Sequence, residues 1–290
     1  MKKVIALLSV MAMVLGLTAC GSSQSATTEP AADVEPATEA EATDVAAEPA
    51  LGRTTFTVGF DAEFPPYGYM DDNGDYVGFD LDLAQEVCNR LGWELVKKPI
   101  DWASKDLELS QGSIDCIWNG FTINGREDDY TWSVPYVNNR QVFVVAEDSG
   151  IAGRADLAGK VVGVQADSSA LAALEDEESQ ENLDLAASFT DLVQYADYNT
   201  AFMDLETGAI DALAVDIGVA SYQVASRNGG YVILDEDLSS EQYAIGFLLG
   251  EDELKDTVEA TLLEMVADGT FASIVANYEE FNMAGLVCLE

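Results

Sequence analysis

Polar residues that could bind a small charged molecule follow two predicted strands of this sequence. Apolar runs at Ile114 to Trp118 and Ile210 to Val215 are typical of buried strands, and Asn119, Gly120 and Asp216 come directly after them. In open α/β sheets, ligands bind beyond the carboxyl ends of the strands. We therefore expect these three residues to lie at a ligand site.

An arginine close to the first of these strand ends is a candidate for binding an anion. Arg126 lies four residues after Thr122 and is one of only six arginines in the chain. A guanidinium group presents two parallel donors that match a planar carboxylate. The alternative is a surface arginine paired with Glu127 or Asp128.

The composition argues against several classes of function. The 290 residues include 13 Lys and Arg, 53 Asp and Glu and no histidine, which gives a net charge of −40. Without histidine the chain lacks the usual general base at neutral pH and the commonest metal ligand. The negative charge would repel nucleic acid and anionic lipid headgroups and would weakly favour cationic solutes. We expect no catalytic residue, no cofactor, no metal site and no nucleic-acid partner.

Residues 1–20 are typical of a lipoprotein signal peptide. Lys2 and Lys3 precede an apolar stretch from Val4 to Leu17, and small residues lead to Cys20. The stretch is short for a membrane-spanning helix, which needs roughly 20 residues, so cleavage before Cys20 is expected. Cys20 would then carry lipid and anchor the protein to the cell membrane on its extracytoplasmic side. The alternative is an ordinary signal peptide cleaved nearby.

Residues 21–51 are predicted to be a disordered acidic tether. The run from Gly21 to Ala50 is mostly Ser, Thr, Ala and Pro, with seven acids and no Lys or Arg. Such a composition cannot bury enough apolar surface to fold, and repulsion between like charges extends it. The tether would hold the folded part away from the membrane.

The remaining sequence alternates short β-rich runs with amphipathic helices, which is typical of an α/β fold. Its length allows two lobes, each with its own core. Further strands are predicted at Thr55 to Phe60, Glu94 to Lys98, Gln141 to Val145, Lys160 to Val164, Tyr231 to Leu234 and Tyr243 to Leu249. Helices are predicted at Asp80 to Leu91, Asp191 to Glu206, Ile217 to Arg227 and Leu254 to Val266.

The most specific motif lies between Val58 and Leu91. Its sequence Gly78-Phe79-Asp80-Leu81-Asp82-Leu83, followed by Val87-Cys88 and Leu91, resembles the signature of extracellular solute-binding proteins of amino-acid ABC transporters, family 3. The resemblance extends from about Arg53 to Phe281. It implies a two-lobe, periplasmic-binding-protein-like fold of type II, with two hinge crossings and a ligand cleft between the lobes.

The resemblance also implies where the chain divides. Lobe 1 is expected at residues 52–138 and 242–290, and lobe 2 at residues 139–241. The hinge crossings are expected near Tyr136 to Arg140 and Ser239 to Gln242. The protein would act as a monomer.

In the family, the ligand carboxylate is held by a segment that Asn119 to Arg126 resembles. This implies that Thr122 and Arg126 bind the carboxylate and that Gly120 lets the backbone approach the ligand. The spacing of four residues between Thr122 and Arg126 is one fewer than in many relatives. Thr122 could instead be only a strand residue.

Lobe 2 would complete the carboxylate site with Ser168 and Ser169. These serines precede an apolar helix, and a helix N-terminus attracts anions. Serine at such a position is equally typical of a helix cap. Gln165 resembles the family position that points a polar side chain into the cleft.

Four further residues resemble family positions that contact the rest of the ligand. Asp216 would hold the ammonium group, although it could instead cap the helix that follows. Phe64 and Trp102 would sandwich the ligand side chain, with the core as the alternative location. Asp61 would meet the distal polar group, which argues against glutamate or aspartate as ligand; otherwise it is a solvated loop acid.

These roles predict a substrate-binding lipoprotein of an ABC importer. It would capture a free polar or basic L-amino acid, such as arginine, lysine or glutamine, by closure of its lobes. It would then deliver the ligand to a membrane permease with its ATPase. The alternatives are an enzyme resembling cyclohexadienyl dehydratases, which share the fold, and a nutrient-sensing co-receptor.

Overall fold

The computed structural model describes residues 49–227 and 229–289. The predicted signal peptide, Cys20 and the tether up to residue 48 lie outside the described residues. The last residues of the predicted tether enter a short 3-10 helix, Ala50–Gly52, and the Ala50 carbonyl accepts a hydrogen bond from Trp93 Nε1 at 2.9 Å. Among the described helices, none has the length and apolarity needed to cross a membrane.

Strands and helices alternate along the described part of the chain. The strands are β1 (Thr55–Phe60), β2 (Glu63–Phe64), β3 (Gly68–Met70), β4 (Tyr76–Val77), β5 (Glu94–Pro99), β6 (Cys116–Ile117), β7 (Tyr130–Trp132), β8 (Val137–Ala146), β9 (Val161–Gln165), β10 (Asp191–Tyr195), β11 (Ala212–Asp216), β12 (Tyr231–Ile233), β13 (Ser239–Tyr243) and β14 (Gly246–Leu248). The α-helices are α1 (Phe79–Leu91), α2 (Lys105–Ser110), α3 (Ser169–Leu174), α4 (Gln180–Ser188), α5 (Tyr198–Thr207), α6 (Ile217–Ser226), α7 (Asp252–Asp268) and α8 (Thr270–Ala276).

Two mixed sheets form the frameworks of two lobes. In lobe 1 the strand order is β5-β1-β6-β14-β7. Strand β1 is parallel to β5 and β6, and β14 is antiparallel to both of its neighbours, β6 and β7. In lobe 2 the order is β10-β9-β11-β8-β12, and β13 also pairs with β8. A small antiparallel sheet, β2-β3-β4, adjoins lobe 1. The α/β, two-lobe fold predicted from the sequence is confirmed.

Helices α1, α7 and α8 pack together beside the first sheet. Phe79, the first residue of α1, is fully buried, and its ring meets those of Phe271 and Tyr278 edge to face. Leu254, Val258, Leu262 and Met265, which are spaced three and four residues apart along α7, are buried. The capping glycine after α7, Gly269, has the left-handed conformation expected of a helix stop.

Two chain segments cross between the sheets. The first half of β8 pairs with β13 in an antiparallel register that runs from Val137 opposite Tyr243 to Gln141 opposite Ser239. The second half of β8 continues into the lobe 2 sheet, between β11 and β12. These paired segments coincide with the crossings expected near Tyr136 to Arg140 and Ser239 to Gln242. A connection of this kind allows lobe rotation through changes at a few residues.

One predicted helix is wrong in its first half. Residues from Asp191 to Glu206 were expected to form a helix, but the chain forms strand β10 before α5 begins. Strand β10 pairs in parallel with β9, which overrides the local helical preference. Asp197 then accepts a hydrogen bond from the Thr200 N–H at 2.8 Å and starts α5 as its N-cap.

Replacement of Gly78 tests how tightly the start of α1 packs. Gly78 has φ +139, and a Cβ there would lie 2.6 Å from the carbonyl carbon of Tyr67 and 2.9 Å from Gly68 Cα. Gly74 also has a positive φ, +86, but a Cβ there meets nothing within 4 Å. Gly74→Ala should therefore cost only the roughly 1–2 kcal/mol of a left-handed conformation.

We expect Gly78→Ala to lower the free energy of unfolding by clearly more than Gly74→Ala. The new Cβ at residue 78 would clash with backbone atoms of Tyr67 and Gly68, which cannot rotate away as a side chain could. Urea denaturation of both variants measures the difference. Equal losses would contradict this account of the α1 start.

Candidate ligand-binding cleft

The strand ends of the two lobes meet at one cavity of about 20 Å³. A space of that size holds about one water molecule, so the lobes or the lining side chains must move apart to admit a larger solute. It is lined by Phe64, Trp102, Asn119, Gly120, Thr122, Gln165, Ser168, Ser169 and Asp216. All nine are predicted site residues. The other two, Asp61 and Arg126, each lie one hydrogen bond behind this lining.

A larger groove of about 520 Å³ lies elsewhere, beside α8 and the C-terminal residues. Its lining is apolar except for Glu279. A groove of that composition offers few partners to a charged solute. The smaller cavity between the lobes, with its amide, hydroxyl and carboxylate groups, is therefore the candidate ligand site.

Arg126 extends from lobe 1 toward the first turn of α3 in lobe 2. Its Nη1 donates to Ser169 Oγ at 3.2 Å and to the Thr122 carbonyl at 3.3 Å, and its Nη2 lies 3.5 Å from the Asp167 carbonyl. Its Cζ lies 5.3 Å from the centre of the Phe121 ring. Within residues 49–227 and 229–289, Arg126 forms no ion pair. The structure therefore does not contain the alternative in which Arg126 pairs with Glu127 or Asp128.

The two serines of lobe 2 differ in what they contact. Ser168 is the N-cap of α3, and its Oγ accepts a hydrogen bond from the Leu171 N–H at 3.2 Å. Ser169 Oγ instead accepts from Arg126. Both serines line the cavity, so capping and contact with the cavity coexist at this helix start.

Asp61 is buried rather than solvated. Its Oδ1 accepts from the Glu63 N–H at 2.8 Å, and its Oδ2 accepts from Gln165 Nε2 at 2.7 Å. Its backbone N–H donates to Asn119 Oδ1 at 3.0 Å. Burial raises the pKa of Asp61 to about 6. The bond to Gln165 links the two lobes at this end of the cavity.

Asp216 ends β11, and its carboxylate makes no capping bond to α6. Its Oδ1 accepts from Asn139 Nδ2 at 2.8 Å, from Gln141 Nε2 at 2.7 Å and from the Tyr243 hydroxyl. Its Oδ2 lies 3.4 Å from the Tyr198 hydroxyl. Burial raises the pKa of Asp216. Its side chain is therefore held at the cavity by the hinge strands and not by the helix.

A second buried acid, Glu241, lies beside Asp216 and was missed by sequence reasoning. Its Oε1 accepts from Thr122 Oγ1 at 3.0 Å, from Asn139 Nδ2 at 2.7 Å and from Gln141 Nε2 at 2.8 Å. Glu241 is only 6% exposed. Burial, and then the charge of Asp216, raise the pKa of Glu241 to about 7.

A signal for Glu241 was present in the predicted hinge segment. Side chains of β13 alternate between exposed and buried, and Glu241 lies two residues before the fully buried Tyr243. Strand alternation therefore turns Glu241 inward with Tyr243. From the sequence, the segment from Ser239 to Gln242 is assigned only to a hinge crossing, so Glu241 is not identified as a site residue.

The two predicted aromatic residues, Phe64 and Trp102, line the cavity and also pack against other aromatic rings. The Phe64 ring centre lies 5.9 Å from that of Tyr198 in lobe 2. The Trp102 ring meets Phe121 edge to face at 5.5 Å. Lys105 Nζ lies 5.2 Å from the Trp102 ring centre. The rings are therefore held in place by their neighbours while they line the cavity.

Several contacts join the lobes outside the cavity lining. Lys105 on α2 forms an ion pair with Asp167, and Asn199 on α5 donates to the Glu63 carboxylate. Lys105 is only 2% exposed and was also missed by sequence reasoning. These contacts, together with the bond from Gln165 to Asp61, hold the two lobes in a closed arrangement.

Comparison with known proteins shows similarity over most of the chain. The L-cystine-binding protein TcyJ of Escherichia coli is 30% identical over 225 residues, which cover 77% of this chain and 81% of TcyJ. A substrate-binding protein of an ABC uptake transporter from Streptococcus pneumoniae, solved with bound histidine, is 31% identical with a TM-score of 0.71. That match covers 77% of this chain and 92% of the other.

An ancestral arginine-binding protein solved with glutamine is 35% identical with a TM-score of 0.69, over 79% of this chain and 98% of the other. The sequence pattern of the bacterial extracellular solute-binding proteins, family 3, matches residues 56–281. That range includes both sheets except Thr55, the first residue of β1, together with the hinge strands and every residue that lines the cavity. The chain belongs to the bacterial extracellular solute-binding proteins of family 3.

Proposed function

We propose that this protein captures a polar or basic L-amino acid, such as arginine, lysine or glutamine, and delivers it to an ABC importer. The observation that carries the proposal is the presence of a guanidinium and a buried carboxylate, Arg126 and Asp216, at one closed cavity between two lobes. A free amino acid carries one carboxylate and one ammonium group, and each needs a partner when it leaves water. Relatives solved with histidine and with glutamine support this class of ligand.

At the carboxylate end, Arg126 is the principal partner. It already reaches Ser169 across the cavity, so its donors lie where the lobes meet. Asn119 Nδ2 is a buried donor with no hydrogen-bond partner among the described residues, and Asn119 lines the same cavity. Thr122 has one hydroxyl hydrogen, which it donates to Glu241, so it would have to turn away from Glu241 to serve the ligand.

At the ammonium end, Asp216 is the partner. Its Oδ1 is taken by three hinge donors, while its Oδ2 has only the long contact to Tyr198. Oδ2 is therefore the oxygen available to an ammonium group. A carboxylate whose other oxygen is fixed by hydrogen bonds is pre-organised for this contact.

The side-chain end of the ligand lies between the two aromatic rings and Asp61. Phe64 and Trp102 offer faces to an alkyl stem or a cation, and a cation–π contact contributes about 0.5–2 kcal/mol. The Asp61 carboxylate disfavours an acidic side chain through like-charge repulsion. A basic or amide side chain fits this end best.

Membrane anchoring and lobe boundaries complete the proposal. Cys20 would carry lipid after export, and residues 21–51 would connect it to the folded part. Lobe 1 would comprise residues 52–138 and 242–290, and lobe 2 residues 139–241. The closed form would dock on a membrane permease with its ATPase.

A ligand screen tests the proposed function directly. Thermal unfolding is measured with each of the twenty common L-amino acids, because a ligand at 100 times its Kd stabilises the folded state by about 2.7 kcal/mol. We expect the largest increases in Tm with arginine, lysine or glutamine. A larger increase with glutamate or aspartate would contradict the assignment of Asp61. Release of product from prephenate or arogenate would favour the enzyme alternative.

Removal of the Arg126 guanidinium tests the carboxylate site. Arg126→Ala should weaken binding of the amino acid identified in the screen by at least about 30-fold, since loss of one partner of a buried charge pair costs about 2–5 kcal/mol. Calorimetric titration measures the affinity. The control is Arg227→Ala, which removes a guanidinium paired with Glu206 on lobe 2, away from the cavity. Equal affinity of the two variants would refute the role of Arg126.

A third test asks whether lobe closure is needed for capture. Gly218 at the start of α6 faces the Tyr67 ring of lobe 1, and a Cβ there would lie 2.8 Å from Cε2 and 2.9 Å from Cζ, and closer still to the hydroxyl oxygen. Gly218→Ala should therefore oppose closure and lower affinity at least tenfold, with a more open form in small-angle scattering.

A second substitution at the same contact serves as the control. Tyr67 is buried, and its hydroxyl has no hydrogen-bond partner among the described residues, so Tyr67→Phe alone should leave affinity nearly unchanged. Combined with Gly218→Ala, it removes the nearest atom and should restore part of the affinity. Full affinity of Gly218→Ala alone would show that closure at this contact is not required.

A further inference from the structure

Two buried carboxylates share the same hydrogen-bond donors where the hinge meets the cavity. Asp216 ends β11 in lobe 2, and Glu241 lies on β13, one of the two crossing strands. The proposed function assigns a role to Asp216 but none to Glu241. Glu241 lies behind Thr122 rather than in the cavity lining, so it acts on the site through its neighbours.

The amides of Asn139 and Gln141 bridge the two acids. Each NH₂ group donates one bond to Asp216 Oδ1, at 2.8 and 2.7 Å, and one to Glu241 Oε1, at 2.7 and 2.8 Å. An amide NH₂ has two hydrogens, so both groups are fully used by the pair. The amide oxygens, Asn139 Oδ1 and Gln141 Oε1, are buried and accept no hydrogen bond from any residue that the structure describes. The site therefore contains more acceptors than hydrogens to fill them.

The other side chains that donate hydrogen bonds to the pair are neutral hydroxyl groups. Tyr243 on β13 and Tyr198 on α5 donate to Asp216. Burial, and then the charges of Asp216, Asp80 and Glu241, raise the pKa of Tyr67 in lobe 1. Among the described residues, neither carboxylate takes part in an ion pair.

Nearby charged residues are already used or are themselves acidic. Arg140 shares an outer groove with Glu241, but its guanidinium is paired with Asp237 at 2.6 Å. Asp61 acts electrostatically on Tyr198, as do Asp216 and Glu241, so it adds negative rather than positive charge to these surroundings. Two buried carboxylates at hydrogen-bonding distance from the same amides cannot both stay ionised cheaply. Either a proton or a cation must neutralise one of them.

We propose that Glu241 and Asp216 together hold one proton in the ligand-free protein, and that this proton passes to water when the ammonium group of the ligand binds Asp216. The proposal rests on the proposed function, in which Asp216 is the ammonium site. One positive charge leaves the pair as another arrives, so the net charge of this buried site does not change. Glu241 is thus a positioning residue that couples ligand binding to proton release.

The hydrogen bonds indicate where the proton resides. All three bonds to Glu241 end on Oε1, from Thr122, Asn139 and Gln141, which leaves Oε2 for a proton. Asp216 receives its three short bonds on Oδ1, and its Oδ2 has only the 3.4 Å contact to the Tyr198 hydroxyl. Glu241 is therefore the proton carrier and Asp216 the ligand contact. The rise in the pKa of Glu241 to about 7, caused by burial and by Asp216, agrees with this division.

Proton release makes the affinity depend on pH in a defined direction. Below a pH of about 7 the pair is protonated and the ligand must displace the proton, so affinity rises with pH. The slope approaches tenfold per pH unit when one proton is released. In Glu241→Gln the pair no longer shares a proton, so the slope should flatten and affinity at high pH should fall.

Calorimetry with L-arginine, and with lysine, glutamine and histidine as further probes, tests the release step. Titrations at pH 6.5 in buffers of different ionisation enthalpy count the protons released. We expect about one proton for the natural sequence and near zero for Glu241→Gln. The control Glu253→Gln removes an exposed glutamate on α7 and should release the same number as the natural sequence. Equal release by natural protein and Glu241→Gln would overturn the proposal.

A ligand-free measurement tests proton binding independently of the proposed function. Because the pKa of Glu241 is raised in the folded protein, its protonation stabilises the fold fully below the ordinary value of 4.5, and this stabilisation is lost as pH rises through about 7. The Tm of Glu241→Gln relative to the natural protein should therefore increase from pH 5 to pH 8. Parallel profiles would overturn the proposal without any ligand. If the profiles diverge but none of the amino acids binds in the ligand screen, the proposed function and the release step are both overturned, and the pair is a proton site only.

Discussion

The antiparallel pairing of β8 with β13 is the interaction on which the rest of the molecule depends. It is the connection between the two sheets, and its register decides which side chains face the cavity. In that register Asn139 lies opposite Glu241, and Val137 lies opposite Tyr243. Because side chains alternate along a strand, Asn139 and Gln141 turn inward together and meet the acids from β11 and β13. A shift of one residue would turn all of them outward.

This hinge therefore serves both as a mechanical link and as one wall of the site. A buried carboxylate requires hydrogen-bond donors, and the hinge strands supply them to Asp216 through two amides and a tyrosine hydroxyl. Rotation of the lobes about β8 and β13 would change the distances within this network. Closure and the electrostatics around Asp216, the proposed ammonium site, are consequently properties of the same few residues, whereas Arg126 reaches the cavity from a separate segment of lobe 1.

The sequence is informative where interactions are local or where a motif fixes them. Strand β1 has the bounds expected from its apolar pattern, and the polar residues after the strands do lie at the cavity. The partners of those residues could not be predicted in the same way. Glu241, Asn139 and Lys105 act through contacts between segments far apart in the chain, and only the register of β8 with β13 and the approach of α2 to lobe 2 bring them into place. The same non-local pairing explains why β10 replaced a predicted helix.

The charges around the cavity constrain the ligand more than the fold does. In the proposed ligand orientation, Arg126 is the guanidinium at one end, Asp216 and Glu241 lie at the other, and Asp61 lies at the side-chain end. Under the proposed proton release, a neutral amino acid brings no net charge while one proton leaves, so the closed cavity would gain negative charge. A basic amino acid would bring a second cation for Asp61 and leave the enclosed charge unchanged. Since uncompensated charge is most costly where water is excluded, closure would favour the basic ligand beyond what each contact contributes separately.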